Sequence, residues 1–363
     1  MPPAALTGQV PVVPQETLVA SLVPPPRFDA VRFETYVPDR AHRSQADALG
    51  VLRAFARRVT GEDGGTPRRG WFRRRRADER GRAGVYLDGG FGVGKTHLLA
   101  SLWHVAPGPK AYGTFVELTH LVGALGFAGT VDALSGHRLL CIDEFELDDP
   151  GDTVLVSTLL SRLVEAGVKL AATSNTLPGR LGEGRFAAQD FLREIQGLAA
   201  QFNVVRVEGE DYRHRGLPAA PPPYDDETVT AAAEATEGAT LDDWPALLEH
   251  LREVHPVRYR ALLDGVEAVH LRGVAPVGDQ ATALRVVVLA DRLYDCDIPV
   301  VASGVPFDHV FPREFLRGGY RKKYYRVISR LVALAREGEG LDAPELRWHA
   351  SGAPAADSAV TRD

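Results

Sequence analysis

Apolar and polar positions alternate along this chain in short buried runs separated by helical stretches. The runs at 85–87, 114–116, 138–143, 169–174 and 203–207 have the length and composition of buried strands. Between them apolar residues recur at helical spacing, as in His97-Leu98-Leu99-Ala100-Ser101-Leu102-Trp103. Strand and helix in alternation predict an α/β fold, a mostly parallel sheet covered by helices on both faces. Ahead of the first strand, Ala46, Leu49, Leu52, Phe55 and Ala56 predict a helix over 43–58; a further helix is expected over 324–335.

The same pattern divides the chain. Residues 1–30 are proline-rich and read as an extended arm, and 31–215 hold the first sheet. Residues 216–240, rich in Pro, Ala and Asp, read as a flexible linker or insertion. Residues 241–346 form a C-terminal α/β segment that completes the module, and 347–363 a small, polar tail.

An echo links the two halves. Asp149, Leu159, Arg162 and Leu163 recur as Asp279, Leu289, Arg292 and Leu293, at a constant offset of 130 residues. Val156, Val168, Leu170 and Thr173 fall opposite Val286, Ile298, Val300 and Ser303, while Gly273 takes the place of Asp143. Residues 266–304 are therefore expected to form a strand–helix–strand unit without the acid. Two units obeying the same α/β grammar would look alike too.

The chemistry begins where the first strand ends. Gly89-Gly90-Phe91-Gly92-Val93-Gly94-Lys95-Thr96, followed by His97, fits G-x-x-x-x-G-K-[ST] between a strand and a helix. Glycines let successive backbone N–H groups curl around phosphates, and the helix N-terminus adds its positive dipole end. Lys95 adds a point charge, and the Thr96 hydroxyl is suited to Mg²⁺. A Gly-rich turn before an ordinary helix would not need the Lys-Thr pair. Downstream, Arg138-Leu139-Leu140-Cys141-Ile142-Asp143-Glu144 is an apolar strand ending in two acids. Asp143 is positioned for the outer sphere of Mg²⁺, and Glu144 for a water attacking the γ-phosphate. The next strand ends in Thr173-Ser174-Asn175, where Asn175 or Thr173 can meet the γ-phosphate or the water, or simply form a turn. The order of these elements defines a P-loop NTPase of the AAA+ class.

Composition narrows the picture only modestly. The 363 residues, 45% hydrophobic and 25% charged, suit a globular protein, and a net charge of −6 disfavours general coating of nucleic acid. The Gly- and Arg-rich stretch 61–82 contains Arg73-Arg74-Arg75-Arg76, either a solvated loop or a contact for nucleic acid, acidic lipid or protein. The two cysteines, Cys141 and Cys296, sit in apolar runs and suggest neither zinc nor disulfide. No secretory signal and no apolar run of about 18 residues is found, so a cytoplasmic location is expected.

Several stretches are specific: Arg32-Phe33-Glu34-Thr35-Tyr36-Val37-Pro38, Ile142-Asp143-Glu144-Phe145 and Thr173-Ser174-Asn175-Thr176. With them stand Asp211-Tyr212-Arg213, Leu289-Ala290-Asp291-Arg292-Leu293-Tyr294-Asp295 and Arg326-Val327-Ile328-Ser329-Arg330-Leu331. Together they resemble the ZapE family of AAA+ ATPases, bacterial cell-division ATPases with mitochondrial relatives. The resemblance implies ATP and Mg²⁺ as ligands, with Thr96 and Asp143 on the metal, Glu144 activating water and Asn175 as sensor. It implies a protein partner, with the cell-division ring protein FtsZ the leading candidate. A homo-oligomer and a peripheral membrane contact stay open, and nucleic acid ranks below protein. Two departures stand out. Asp190-Phe191-Leu192-Arg193 occupies the place of the family's Arg-Phe-Leu-Pro, which leaves Arg185, Arg193 or another residue as a trans-acting finger. The Lys95-Thr96-His97-Leu98-Leu99 wording is closer to helicase loaders and keeps a DNA-dependent ATPase as a rival; a nucleotide-gated adaptor is a third reading, against which Glu144 speaks. Arg326 and Arg330, four apart on one helix, are expected to share a face, with at least one approaching bound nucleotide.

Overall fold

The computed structural model describes residues 3–61, 82–90, 92–146, 150–177, 196–197, 199–209 and 219–339. Phe91, the Arg73–Arg76 run, Arg185, the stretch 190–193, Asp211-Tyr212-Arg213 and the tail from 347 lie outside them.

Five parallel strands form the first sheet in the order β2-β3-β4-β1-β5: β1 Gly84–Gly89, β2 Lys110–Thr114, β3 Leu139–Asp143, β4 Lys169–Ser174 and β5 Phe202–Val207. Two-residue periodicity sorts their side chains onto two faces. Val85, Leu87, Leu139 and Cys141 join one core with α2 (Arg43–Thr60) and α3 (Lys95–Val105). Tyr86, Leu140, Ile142 and Leu170 join the other with α4 (Phe115–Leu134) and α5 (Pro150–Glu165). Helices thus leave β1 and its neighbours for opposite faces, and ligands of such sheets gather at the carboxyl ends of the strands. The run expected as a strand over 114–116 ends its strand at Thr114 instead. That residue caps α4, accepting from Glu117 N–H at 3.2 Å while the Glu117 carboxylate accepts from Thr114 N–H at 2.6 Å.

The C-terminal unit is a second parallel sheet, β6-β7-β8, comprising Ala239–Asp243, Ala268–Val274 and Val300–Gly304. Its core draws Leu247 and Leu251 from α7 (Trp244–Glu253), Val286 and Leu289 from α9 (Gln280–Asp295), and Val327 and Leu331 from α10 (Arg321–Glu339). The short α8 (Tyr259–Leu262) precedes β7. Much of the segment read as a linker is ordered: α6 (Asp226–Ala235) lies against this sheet, and β6 follows at once. The Asp225 carboxylate caps α6 by accepting from Thr228 N–H at 2.7 Å, and the alanines that suggested flexibility favour helix. The echo between the halves takes shape as strand–helix–strand in both, with one difference. Copying the β3–β4 register forward would pair Val269 with Pro299, whereas Val269 pairs with Val300, ahead of an irregularity between Leu271 and Val274. At the place of Asp143, Gly273 donates its N–H to Ser303 Oγ at 2.8 Å.

The N-terminal arm is a strap across both sheets. Ala4 bridges Thr240 on β6, and Leu6 is fully buried in the C-terminal core. Asp242, 2% exposed, accepts from Leu6 N–H at 3.0 Å and from the N–H and hydroxyl of Thr7, each at 2.9 Å. Further on, past α1 (Gln15–Ala20), Arg260 donates to the Ser21 carbonyl at 3.0 Å, and Tyr112 N–H on β2 donates to the Leu22 carbonyl at 2.8 Å. Among the described residues no helix is long and apolar enough to cross a membrane. Asp242→Ala strips the buried ends of this strap of their acceptor, and urea unfolding is expected to register a loss of about 1–3 kcal/mol. Unchanged stability would mean the strap is not held here.

Candidate active site

Two glycines of the loop are required by contact, and the second by conformation as well. A Cβ on Gly89 would lie 2.1 Å from the Val207 carbonyl oxygen of β5. Gly94, with φ +84°, caps α3, and a Cβ there would meet the Tyr36 ring at 2.6 Å. Tyr36 in turn donates its hydroxyl to the Val93 carbonyl at 3.0 Å, fixing the loop against the 31–38 segment. The side chain of His97 faces that segment too, its Nε2 lying 3.0 Å from Thr35 Oγ1 and 3.1 Å from the Arg32 carbonyl oxygen.

Lys95 is folded back over the loop mouth. Its ammonium donates to the carbonyls of Gly89 (2.8 Å) and Gly90 (2.5 Å) and to Asn175 Oδ1 (3.0 Å). Asn175, at the end of β4, also donates to Glu146 Oε1 at 3.5 Å. Loop lysine and polar strand end, distant in sequence, therefore touch.

Asp143 is held from several sides. Its Oδ1 accepts from the Thr96 hydroxyl at 3.3 Å, from Glu144 N–H at 3.1 Å and from the Thr173 hydroxyl; Oδ2 accepts from the Tyr112 hydroxyl at 2.9 Å. Thr173 thus serves the acid, and also accepts from Glu144 N–H at 3.1 Å. Tyr112, on β2, was not singled out by sequence. Its only signal is a phenol in the middle of the short strand Lys110-Ala111-Tyr112-Gly113-Thr114. Burial, reinforced by the charge of Asp143, raises its hydroxyl well above the usual tyrosine range, so it stays a donor.

Glu144 adopts φ +51°, a left-handed conformation costly for a residue with a Cβ. The turn points its carboxylate away from the strand towards α10. There Arg326 Nη1 donates to Oε2 and Arg330 Nη2 to Oε1 at 3.4 Å. The other end of each guanidinium goes to Asp291 on α9, Arg326 Nη2 to Oδ2 at 2.6 Å and Arg330 Nη1 to Oδ1. Burial pushes the Glu144 carboxyl up, against the pull of Arg326 and then Arg330. Burial acts on Asp291 likewise, but there the same two arginines prevail and hold the carboxyl below its ordinary value. A cavity of about 820 Å³ opens here, lined among others by Thr96, Asp143, Glu144, Asp291, Arg326 and Arg330.

A parallel sheet of order β2-β3-β4-β1-β5, with a glycine loop and Lys-Thr after β1 and an acid pair at the end of β3, is the arrangement of the P-loop nucleotide-binding class. The chain belongs to the AFG1-like ATPase family, whose model matches residues 12–237 and 228–339. It is 30% identical over 146 residues to the cell division protein ZapE of Escherichia coli K12, covering 37% of this chain and 39% of that protein. To the uncharacterized protein C115.02c of Schizosaccharomyces pombe it is 28% identical over 149 residues, covering 36% and 33%. Each match thus spans well under half the length of the relative. Among solved structures it is similar to the DnaC helicase loader (17% identity, TM-score 0.34, 50% of this chain and 99% of that one). It is similar also to the replication initiator DnaA bound to AMPPCP and single-stranded DNA (14%, TM-score 0.36, 86% and 93%).

Tyr112→Phe removes one donor from Asp143 without changing shape. The expected outcome is a loss of about 1 kcal/mol in denaturant unfolding, with turnover falling more than nucleotide affinity. Wild-type turnover would show that Asp143 is sufficiently held by Thr96 and Thr173.

Proposed function

We propose that this chain hydrolyses ATP as its magnesium complex, with Glu144 as general base, and uses the energy to remodel a protein partner. The observation that carries the reading is the convergence of Lys95, Thr96, Asp143, Glu144 and Asn175 at the carboxyl edge of one parallel sheet. Phosphates entering the loop meet its backbone N–H groups and the positive end of α3. Lys95 then exchanges the carbonyls of Gly89 and Gly90 for phosphate oxygens. The Thr96 hydroxyl beside the Asp143 carboxylate is a hard-oxygen set that fits Mg²⁺, and these two residues would hold the ion. When bound, the ion supplies positive charge to the β- and γ-phosphate oxygens. Glu144 takes a proton from the attacking water as the new O–P bond forms and the bond to the ADP oxygen breaks. Arg326 and Arg330 neutralise charge on the transferring group, and Asn175 orients the water.

The partner reading rests on the resemblance to ZapE and on the name of the E. coli relative, a cell division protein. FtsZ is the first candidate, and a role in cell division follows if it is correct.

Lys95→Ala is expected to abolish nucleotide binding, read by a fluorescent ATP analogue, and Glu144→Gln to keep that binding while turnover drops at least ~10²-fold. Wild-type hydrolysis by Glu144→Gln would remove Glu144 from the reaction. Turnover should fall on chelating Mg²⁺. Adding FtsZ should raise it, whereas DNA or lipid vesicles should not; stimulation by DNA that fades steeply with salt would favour a DNA-dependent ATPase instead.

A further inference from the structure

Four charged side chains close a ring between the two sheets. Each guanidinium spans two carboxylates, and each carboxylate takes one bond from either arginine. Arg326 and Arg330 are 22% and 19% exposed, Asp291 19% and Glu144 29%, so water screens these pairs only partly. The two acids are not equivalent. Glu144 stands on a strained turn of the loop after β3. Asp291 stands inside α9, where Leu289, Ala290 and Leu293 are buried against Val327, Ile328 and Leu331 of α10. One side of the ring is rigidly built, and the other is carried by a short connection.

We infer that Asp291 is the positioning residue of this ATPase, holding Arg326 and Arg330 so that they pass from Glu144 to the phosphates of ATP. The inference rests on the reading of Glu144 as the base. Without nucleotide the ring is neutral, two guanidiniums against two carboxylates, and Glu144 is engaged by the arginines. Incoming phosphates compete for the same donors. Arg326 also has a donor to spare, since its Nε is buried without a hydrogen-bond partner among the described residues, and its side chain lines the cavity. Once the arginines turn to phosphate, Glu144 is free to take a proton from water, while Asp291 keeps both guanidiniums in place. Tyr294 supports the same arrangement, with the Arg330 guanidinium 5.0 Å from its ring centroid.

Asp291 as a mere counterion would act differently from Asp291 as a positioning group. Loss of a counterion loosens α9 and α10, and weakens ATP binding and turnover together. Loss of positioning acts mainly on the transition state, because the gain on phosphate in the bound state is offset by the loss of Glu144 as a partner. The test is steady-state kcat and KM with MgATP, plus equilibrium binding of a fluorescent ATP analogue, on full-length Asp291→Asn, Asp291→Glu and Glu144→Gln. Asp291→Asn should lose at least ~10-fold in kcat with ATP affinity within about 3-fold of wild type, and Asp291→Glu, which keeps the charge, should fall between the two. Wild-type kcat in Asp291→Asn overturns the inference. So does a fall in kcat matched by an equal loss of affinity and not relieved in Asp291→Glu. If Asp291→Asn does not fold, Asp291→Glu decides alone: a reduced kcat at unchanged affinity supports positioning, and a wild-type kcat overturns it. Glu144→Gln separates the two levels. An inactive Glu144→Gln beside an unaffected Asp291→Asn sinks only the positioning role, and an active Glu144→Gln sinks both.

Discussion

Two guanidinium groups shared between Glu144 and Asp291 set the relation between the sheet that carries the phosphate loop and the unit that follows it. Partly buried charges are tolerable only when paired, and removing one member leaves the others uncompensated at a cost of about 3–5 kcal/mol. The two units are thereby bound to each other through Glu144, the acid proposed as general base. Other ties run alongside. Arg292 of α9 reaches Glu117 of α4 at 2.7 Å, and Arg27 of the strap lies 4.0 Å from the Tyr294 ring centroid. Any event that alters how Glu144 is held has a direct path into α9 and α10.

Asp143 shows a complementary design. Three neighbouring side chains and one backbone N–H point donors at it, from β2, β4, α3 and the start of the following loop. Such an acid is fixed in orientation, whereas Glu144 one residue later is held by long side chains from another unit. A rigid acid beside a releasable one suits a site in which one carboxylate orients a cation and the other moves a proton.

Much of the sheet was legible from local pattern, because β1, β3 and β4 are apolar runs that end in the candidate site residues. The phosphate loop and the Asp143-Glu144 pair have fixed spacing to their strands, and could be read in one dimension. What sequence could not supply were partnerships across the chain. Asp291 and Arg326 are 35 residues apart, and Arg326 and Glu144 182, so no periodicity links them. The arm's anchoring was illegible for the same reason: the prolines of 1–30 suggest an extended chain, but the burial of Leu6 and its bonds to Asp242 link residues more than 230 apart. At 216–240 composition suggested a linker, but within it one capping aspartate and a run of alanines suffice for a helix once β6 and β7 offer a face to pack on.

The most direct measurement is a structure of the full chain with magnesium and a non-hydrolysable ATP analogue. Arg326 and Arg330 are expected to lie on the phosphates, still bonded to Asp291, with Glu144 released towards the position of the attacking water. Guanidinium groups that remain on Glu144, or stand far from the phosphates in the protomer and in any oligomer, would contradict this arrangement.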